Sequence, residues 1–320
     1  RYSTLALFGS FNINLGTSAI PNYQDIGIRL NFPTKKIGVF SFNAIGGLSN
    51  IAIVLSKIKE RPKELYGDQN RDQYFTTNMG VGILNHVYTL NSRTIMKTSL
   101  AFAAQSVGSN HYLVIRDKNF KPNDTLPHIL NYDFAENKST LAWFIKSKLN
   151  SKNSIKLGVF VNRIDVNFND SLKLISAYDT VPTSINNKKF KARIDSKENF
   201  YLIQPYLNFV HKFSDKTSLN TGVFSQLLTL NNKFVFEPRV SLRHQISSKH
   251  MLNLSYGIHS QMQSTYLYFA IPDSIIQDNK PTINTIQQQS NKDLDFSKSQ
   301  HLVFGYDYFV TSHFKLKTEL

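Results

Sequence analysis

A two-residue alternation of apolar and polar side chains is the feature of this sequence that most constrains its fold. From Phe234 to Ile246 the even positions are mainly apolar, whereas the odd positions include Glu237, Arg239 and Arg243. Successive side chains of a strand point to opposite faces, so this segment is predicted to be a strand with one apolar and one charged face. The same alternation recurs at residues 26–32, 252–259, 302–308 and 314–320. We therefore expect strands along the whole chain.

The connections between the predicted strands are alternately short and long. Short polar breaks occur at residues 34–36, 90–93, 150–153, 214–217, 247–249 and 311–313. Longer linkers lie between most of them, at residues 12–21, 56–72, 106–138, 165–197 and 265–297, and a short break at 231–233 is the exception. Transmembrane β-barrels have this two-sided pattern, with short periplasmic turns and long extracellular loops.

The predicted fold class is all-β, as an antiparallel up-and-down transmembrane β-barrel. We count about 13 strand-like segments, which places 12–14 strands in one domain over residues 1–320. Each segment is long enough for the roughly 9–11 residues that a tilted spanning strand needs. Bacterial single-chain barrels have even strand numbers, and the alternation reaches both ends of the sequence. We therefore expect a fragment of a larger barrel.

Composition and charge agree with a strand-rich chain and exclude some chemistry. Aromatic residues make up 12%, with 24 Phe and 15 Tyr, and such residues suit a pleated surface. The formal net charge is +15, from 37 basic and 22 acidic residues. This charge attracts anions in general, although a basic surface without a dedicated partner is an equal alternative. The absence of cysteine excludes disulfides and thiolate metal sites.

Six charged residues on the predicted polar faces are the candidate lumen-lining and ligand-facing residues. They are Arg29, Arg163, Glu237, Arg239, Arg243 and Asp307. A face this charged is unsuited to a packed interior and suits a water-filled or plugged lumen, with the apolar face toward lipid. Two interpretations stay open: these residues line a substrate path, or they only keep the interior wet.

Other motifs give no catalytic, cofactor or metal site. There is no G-x-S-x-G elbow and no Walker-type glycine loop, so we predict that the protein is not an enzyme. Asp68, Asn70 and Asp72 have the spacing that opens a calcium loop, but Gln73 and Met79 stand where such a loop needs glycine and an acidic ligand. The basic segment 57–71 is either a solvated loop or a contact for phosphates of lipopolysaccharide or nucleic acid.

Three quoted segments resemble a known family. NNKFVFEPRVSLRHQISSKHMLNLSYGIHSQMQ (231–263) and NKDLDFSKSQHLVFGYDYFVTSHFKLKTEL (291–320) resemble the barrel of TonB-dependent outer-membrane receptors of Bacteroidota. PNYQDIGIRLNFPTKKIGVFSFNAIGGLSN (21–50) is similar to an earlier stretch of the same barrels. The resemblance implies the central part of a 22-stranded barrel, whose plug, TonB box and C-terminal strands lie outside this chain.

The function that the resemblance implies is energy-coupled uptake of a scarce, large nutrient through a plugged barrel in the outer membrane. The nutrient would be a siderophore, cobalamin, a glycan or a peptide. The expected partners are that ligand, outer-membrane lipid and lipopolysaccharide, and the TonB complex through the N-terminal part of the receptor, with no nucleic acid. Two alternatives remain: a soluble basic β-sandwich that binds polysaccharide or nucleic acid, and an outer-membrane barrel enzyme.

Overall fold

The computed structural model describes residues 21–57, 70–175, 182–272, 274–277, 280–283, 291–311 and 313–320. The strands are β1 (Asn22–Pro33), β2 (Val39–Ile53), β3 (Arg71–Asn91), β4 (Thr94–Leu113), β5 (His128–Lys148), β6 (Asn153–Leu172), β7 (Lys191–Lys212), β8 (Thr217–Leu228), β9 (Lys233–Gln245), β10 (His250–Gln261), β11 (Ser274–Gln277), β12 (Lys280–Ile283), β13 (Ser297–Phe309) and β14 (Lys315–Glu319). The helical elements are α1 (Pro182–Asn186) and two 3-10 helices, Leu55–Lys57 and Thr265–Phe269.

Twelve of these strands form one antiparallel sheet in which sequence neighbours are also spatial neighbours. The order is β1-β2-β3-β4-β5-β6-β7-β8-β9-β10-β13-β14, and β11 and β12 pair separately as a hairpin between β10 and β13. This arrangement confirms the prediction of an all-β, up-and-down sheet. Within the part of the chain that the structure describes, β1 and β14 are the edges of the sheet.

The two ends of the sheet have connections of different length, as the sequence predicts. At the short-turn end, six connections span residues 34–38, 92–93, 149–152, 213–216, 246–249 and 310–314. At the long-loop end, the connections are residues 54–70, 114–127, 173–190, 229–232 and 262–296. Two linkers are shorter than predicted, because β4 to β7 continue past the predicted strand ends. The predicted linker at 12–21 lies almost wholly outside the described residues.

Each short turn is closed by a side-chain oxygen at its start. An Asn, Ser or Thr accepts a backbone N–H from the residue two or three positions further on, as in Asx and ST turns. The acceptors are Thr34, Asn91, Asn150, Ser214, Ser247 and Thr311. Asn150 Oδ1, for example, accepts from Lys152 N at 2.9 Å and from Asn153 N at 2.8 Å. The polar breaks in the sequence are therefore turns whose geometry their own side chains fix.

The turn between β1 and β2 also requires a glycine. Gly38 has a φ of +91°, which lies in the left-handed region that L side chains rarely adopt. A Cβ at this position would come 2.3 Å from Val87 O on β3. Both the backbone conformation and the close approach of the neighbouring strand restrict this position to glycine.

Pairing registers divide the side chains of the sheet between two faces, since directly paired residues share a face. The outer face carries exposed apolar side chains on nearly every strand, including Ile28, Leu84, Leu100, Leu141, Leu207, Phe236, Leu254 and Phe304. These side chains are exposed in the described part of the chain, and a β-sandwich would bury them against a second sheet, which contradicts the β-sandwich alternative. The apolar face predicted for β9 is therefore an exposed surface.

The inner face is defined by an apolar cluster that is covered by the connection following β10. The cluster comprises Ile164, Val166, Phe168, Ile194, Phe200, Leu228, Val235, Tyr268, Phe269 and Phe296. Tyr268 and Phe269 come from the second 3-10 helix and are fully buried. Burying a side chain of this size stabilises the fold by about 1.5–3 kcal/mol. The main core thus lies at the long-loop end of the inner face, against β6 to β9.

In the described ranges of the chain, no helix combines the length and apolarity that crossing a bilayer would require.

Candidate functional site on the inner face

The registers place five of the six candidate residues on the inner face and Arg163 on the outer face. If the paired residue is followed from Arg29 on β1 to each next strand in turn, the series ends at Leu228 on β8, which belongs to the apolar cluster. Arg29 therefore lies on the same face as that cluster. Arg163 pairs with Tyr201 on β7 and with Ser139 on β5. Ser139 pairs in turn with Phe102, which lies on the same, outer face as the exposed Ile28. The expectation that Arg163 faces the same side as the other five is therefore wrong.

The cause is a reversal of polarity along β6. Near the short-turn end its outer side chains are apolar, at Leu157 and Val161, and beyond Asn162 they are polar, at Arg163 and Asp165. The inner face changes in the opposite sense, from Lys156 to the apolar cluster. Arg163 donates to Asp165 Oδ1 at 2.8 Å, and both side chains are partly exposed. A charged residue on this strand therefore does not by itself indicate the inner face.

A series of hydrogen-bonded polar side chains crosses five strands of the inner face, on the short-turn side of the apolar cluster. Thr140 Oγ1 donates to Asn162 Oδ1 at 2.8 Å, and Asn162 Nδ2 donates to Gln204 Oε1 at 3.2 Å. Gln204 Nε2 donates to Gln226 Oε1 at 2.8 Å, and Gln226 Nε2 donates to Glu237 Oε1 at 2.7 Å. We call these five residues the polar chain. Every donor points toward β9, so the bonds polarise one another in the same direction.

The polar chain ends at a buried, paired carboxylate. Glu237 is 1% exposed, and besides Gln226 it accepts from Ser260 Oγ at 2.5 Å and from Arg239 Nη2 at 2.7 Å. A carboxylate is tolerated in such a position only when it is both charge-paired and hydrogen-bonded. Two residues predicted from sequence, Glu237 and Arg239, are thus in direct contact.

Next to this ion pair, toward the short-turn end, lies a cleft of mixed polar and apolar lining between β7 and β13. Its volume is about 370 Å³. The inner-face side chains that line it are Asn208, Asn220, Arg239, Ser241, Ser255, His259, His301 and Val303. His259 and His301 meet edge to face, with ring centroids 5.1 Å apart. We call this the inner cleft. Its histidines lie on separate strands, and only the register of β10 with β13 brings them together.

Arg243 and Asp307 lie closer to the short-turn end and form no ion pair with each other among the described contacts. Arg243 Nε contacts Met251 Sδ at 2.6 Å, and Met251 pairs in register with Asp307. Asp307 is 2% exposed, and Lys315 Nζ lies 2.9 Å from its Oδ2. Arg29 is exposed on the edge strand β1. The five candidate residues on the inner face therefore form one contacting pair, Glu237 with Arg239, and three separate positions.

The connection after β10 crosses the inner face and is held by carboxylates on two strands. Residues 262–272 and 291–296 are called the inner loop. Thr265 Oγ1 donates to Glu136 Oε2 on β5 at 2.5 Å, and Lys292 Nζ lies 2.8 Å from Glu198 Oε1 on β7. Ser260, near the end of β10, donates to Glu237. Of the carboxylates Glu136, Glu198 and Glu237, only Glu237 is among the ligand-facing residues predicted from sequence.

Two ionisable side chains of the inner loop have shifted acidities. Burial raises the pKa of Tyr268, whose OH accepts from Gln263 N at 3.2 Å. The backbone N–H of Phe296, which donates to Asp295 Oδ1 at 2.8 Å, lowers the pKa of Asp295, and Lys298 adds to the effect. Neutral Tyr268 and ionised Asp295 are therefore the forms that favour the observed loop conformation.

Metal-binding geometry does not arise in the described part of the chain. No three His, Asp or Glu side chains are grouped there in a way that could hold an ion. Of the calcium-like spacing, Asp68 lies outside the described residues, and Asp72 accepts from Ser56 N at 2.8 Å and from Ser56 Oγ at 2.6 Å. Asp72 thus has a structural role in fixing the connection between β2 and β3.

One antiparallel sheet of twelve up-and-down strands matches the architecture of the β-barrel of TonB-dependent outer-membrane receptors. Neither a protein-family model nor a curated protein matches the sequence. Solved structures do match the fold, and all of those compared below are receptors or transporters.

Three solved structures illustrate the likeness. The siderophore receptor PiuA from Acinetobacter baumannii has a TM-score of 0.59 at 13% identity, covering 94% of this chain and 50% of the receptor. The ferric yersiniabactin uptake receptor FyuA from Yersinia pestis has a TM-score of 0.57 at 14% identity, covering 94% and 44%. The RagAB peptide importer has a TM-score of 0.56 at 12% identity, covering 90% and 38%. The chain thus spans half or less of the proteins that it matches, and at these identities the likeness concerns the fold.

Proposed function

We propose that the protein is a TonB-dependent outer-membrane transporter that takes up a scarce, large nutrient by energy-coupled transport. The observation that carries the proposal is the two-faced sheet: an exposed apolar outer face suits lipid, and a polar inner face suits a ligand path. Siderophores and peptides, which the compared receptors carry, are proposed nutrients, as are cobalamin and glycans. No covalent chemistry is part of this function.

The proposed location and partners follow from the same architecture. The long-loop end would be extracellular and the short-turn end periplasmic, with outer-membrane lipid and lipopolysaccharide around the outer face. The described sheet would be the central part of a larger barrel, as the coverage of the compared receptors supports. A plug and the contact with the TonB complex would be contributed by the rest of the receptor. The resemblance of segments 231–263 and 291–320 supports an origin in Bacteroidota.

The polar chain and the ion pair have a role in this proposal. They hold a row of oriented side chains at a fixed height on the inner wall, beneath the inner loop. A ligand that descends from the long-loop end would pass the inner loop first and then meet the inner cleft. Recognition would therefore involve polar groups whose positions are already fixed before the ligand arrives.

Heat-modifiability tests the proposed class. The full-length protein should fractionate with outer membranes, require detergent for extraction, and migrate faster on a gel when unheated than after boiling, because a folded barrel resists the denaturing detergent. Cells with and without the gene, compared for growth on single siderophores or peptides with and without a protonophore, then test energy-coupled uptake. A protein that stays in solution without detergent and shows no unheated folded form would contradict the proposal.

A further inference from the structure

We propose that a groove on the outer face of the sheet holds one acyl chain of a lipopolysaccharide molecule, and that the polar residues beside the groove bind the sugars of that lipid. This inference rests on the proposed outer-membrane location and adds a lipid-binding site to it. The groove crosses β2 to β7 and has a volume of about 570 Å³. We call it the outer groove.

The outer groove has an apolar lining and a floor of bare backbone. Its large apolar side chains are Phe42, Leu84, Leu100, Phe102, Leu141 and Val161. All of them except Phe102 form one continuous row of directly paired residues from β2 to β6. Gly82 lies in the next row, between Ala44 and Phe102, and has no side chain to fill the space beside the Phe42 ring. A linear chain can therefore lie between the larger side chains.

The outer face becomes polar at the long-loop end of the outer groove. Six residues form what we call the headgroup patch: Ser139, Arg163, Tyr201, Asn137, Asp165 and Asn199. The first three pair directly across β5, β6 and β7 and line the outer groove. The last three pair in the same way, one step nearer the long-loop end. The headgroup patch thus lies where the apolar surface ends, as expected at the level where hydrocarbon gives way to headgroups.

The chemistry of the headgroup patch favours sugar hydroxyls as ligands. Arg163 donates through Nε and Nη2 to Asp165 Oδ1, at 3.2 and 2.8 Å, so the two charges of the patch offset each other. The amides of Asn137 and Asn199 and the hydroxyl of Tyr201 can each donate and accept. Hydroxyl groups of a sugar ring also donate and accept, so they match these side chains better than a phosphate does. In the proposed outer leaflet, the lipid that joins sugars to acyl chains is lipopolysaccharide.

The groove and the headgroup patch are both needed to hold one lipid in preference to others. Lipid tails are as apolar as the lining of the outer groove, so the hydrophobic effect gives a groove-bound chain no advantage over the surrounding bilayer. The advantage comes from close packing of the chain at Gly82 and from hydrogen bonds to the headgroup. The adjacency of groove and patch, and not apolarity alone, therefore distinguishes this site.

Native mass spectrometry of the full-length protein tests the site. The probe is a rough lipopolysaccharide of defined mass, made of lipid A and its inner sugars, which is added to delipidated protein in detergent micelles. We expect the wild type to retain one molecule. Gly82→Leu fills the outer groove, and its Cβ would lie at an ordinary distance of 3.8 Å from Phe42 Cε2. This variant should therefore fold and lose at least about tenfold in affinity for the probe.

Two further variants give the control and test the headgroup patch. Gly80→Leu is the matched control, because Gly80 lies on the same face of β3 but outside the outer groove, where an added Cβ would meet none of the described atoms within 4 Å. It should retain the probe as the wild type does. Asn199→Leu should weaken retention of the probe and leave retention of dioleoyl phosphatidylethanolamine, which has no sugar, unchanged.

The outcomes separate the lipid site from the transport proposal. Ser139→Leu fills the outer groove from β5 and replaces Gly82→Leu if that variant does not fold. If the wild type retains no probe, or the filled variant retains it equally, the site is overturned. Equal retention of phosphatidylethanolamine and lipopolysaccharide by the wild type would overturn the assignment of the sugars. In each case the wild type would still be heat-modifiable, whereas the loss of heat-modifiability would contradict the proposed function itself.

Discussion

At the scale of single residues, Glu237 organises the inner face. It is the final acceptor of the polar chain, the partner of Arg239, and the acceptor of Ser260 near the end of β10. A buried carboxylate with these donors is stable, and removing one donor leaves part of its charge without compensation. Because each amide of the polar chain both donates and accepts, the loss of one member also affects its neighbours.

We predict that Gln226→Leu destabilises the folded protein by about 1–3 kcal/mol, because it leaves Glu237 without one donor and Gln204 without its acceptor. The measurement is the urea concentration at which the unheated, folded band disappears from a gel. Gln245→Leu, on the inner face of β9 but outside the polar chain, is the control. Equal midpoints for the two variants would show that the polar chain contributes nothing to stability.

At the scale of elements, the inner loop is a long connection that folds onto the inner face. Its contacts are of two kinds: apolar, through Tyr268 and Phe269, and ionic, through Lys292 and Glu198. The short turn between β8 and β9 fits beneath it, since Asn231 Nδ2 donates to Lys292 O and to Leu294 O at 2.9 Å. A long loop at that position would occupy the same space.

Acid should loosen the inner loop through Asp295. Its folded pKa is depressed, so its contribution to loop stability is complete above the ordinary aspartate pKa of about 3.9 and is lost as the pH falls through the lower, folded value. Amide hydrogen exchange of residues 291–296, corrected for its intrinsic pH dependence, should therefore be faster at pH 2.5 than at pH 6.

Asp295→Asn should reduce this pH difference, because the amide does not titrate, although the contacts of the inner loop with Glu136 and Glu198 are unchanged in the variant. Asp124→Asn, in the connection between β4 and β5, provides the control and should retain the wild-type difference. A wild-type loop with the same corrected exchange at both pH values would contradict the assigned role of Asp295.

The alternation of apolar and polar residues predicted strands and faces correctly where each face of a strand is apolar or polar along its whole length. The prediction was less accurate on strands where a face changes from polar to apolar. On β9 the apolar and charged positions stay on the same faces over most of the strand, and the predicted faces of Phe236 and Arg239 are confirmed. On β6 the inner face becomes apolar where the inner loop covers it, so Arg163 was placed on the wrong face and the linker 165–197 was predicted too long. A contact made by a loop that is distant in sequence cannot be recognised from the alternation of residues within the strand itself.

The same limit applies to the candidate site. Glu237 and Arg239 could be predicted as neighbours on one strand face, because they are two residues apart on β9. His259 and His301 are 42 positions apart, with the β11–β12 hairpin between them, so their proximity depends on a register that composition and spacing do not determine. The polar chain is equally non-local, because each of its bonds joins a different pair of strands.

At the scale of the whole molecule, the proposed transporter would have lipid on one face of the sheet and the lumen on the other, so substitutions on the two faces should differ in effect. We predict that Leu100→Lys, on the outer face of β4, costs about 2–4 kcal/mol of membrane-inserted stability, because it places a charge in lipid. Ala101→Lys, one residue further on the inner face, should have a much smaller effect. The folded, heat-modifiable fraction in outer membranes measures both.

This comparison tests the orientation of the faces directly, since the two variants differ by one position and carry the same new side chain. A larger loss for Ala101→Lys than for Leu100→Lys would mean that the outer face is not the lipid-facing one.

The side-chain-closed short turns also have a consequence for how such a sheet is assembled. Every pairing in the twelve-stranded sheet joins consecutive strands, except that β10 meets β13 across the small β11–β12 hairpin. Each hairpin can therefore close with little loop entropy and pair with its predecessor, without waiting for distant segments. Because each turn carries its own acceptor, a two-strand unit could be gained or lost while the remaining registers stay unchanged. Duplication or deletion of a single hairpin can therefore change the number of strands, and with it the width of the sheet.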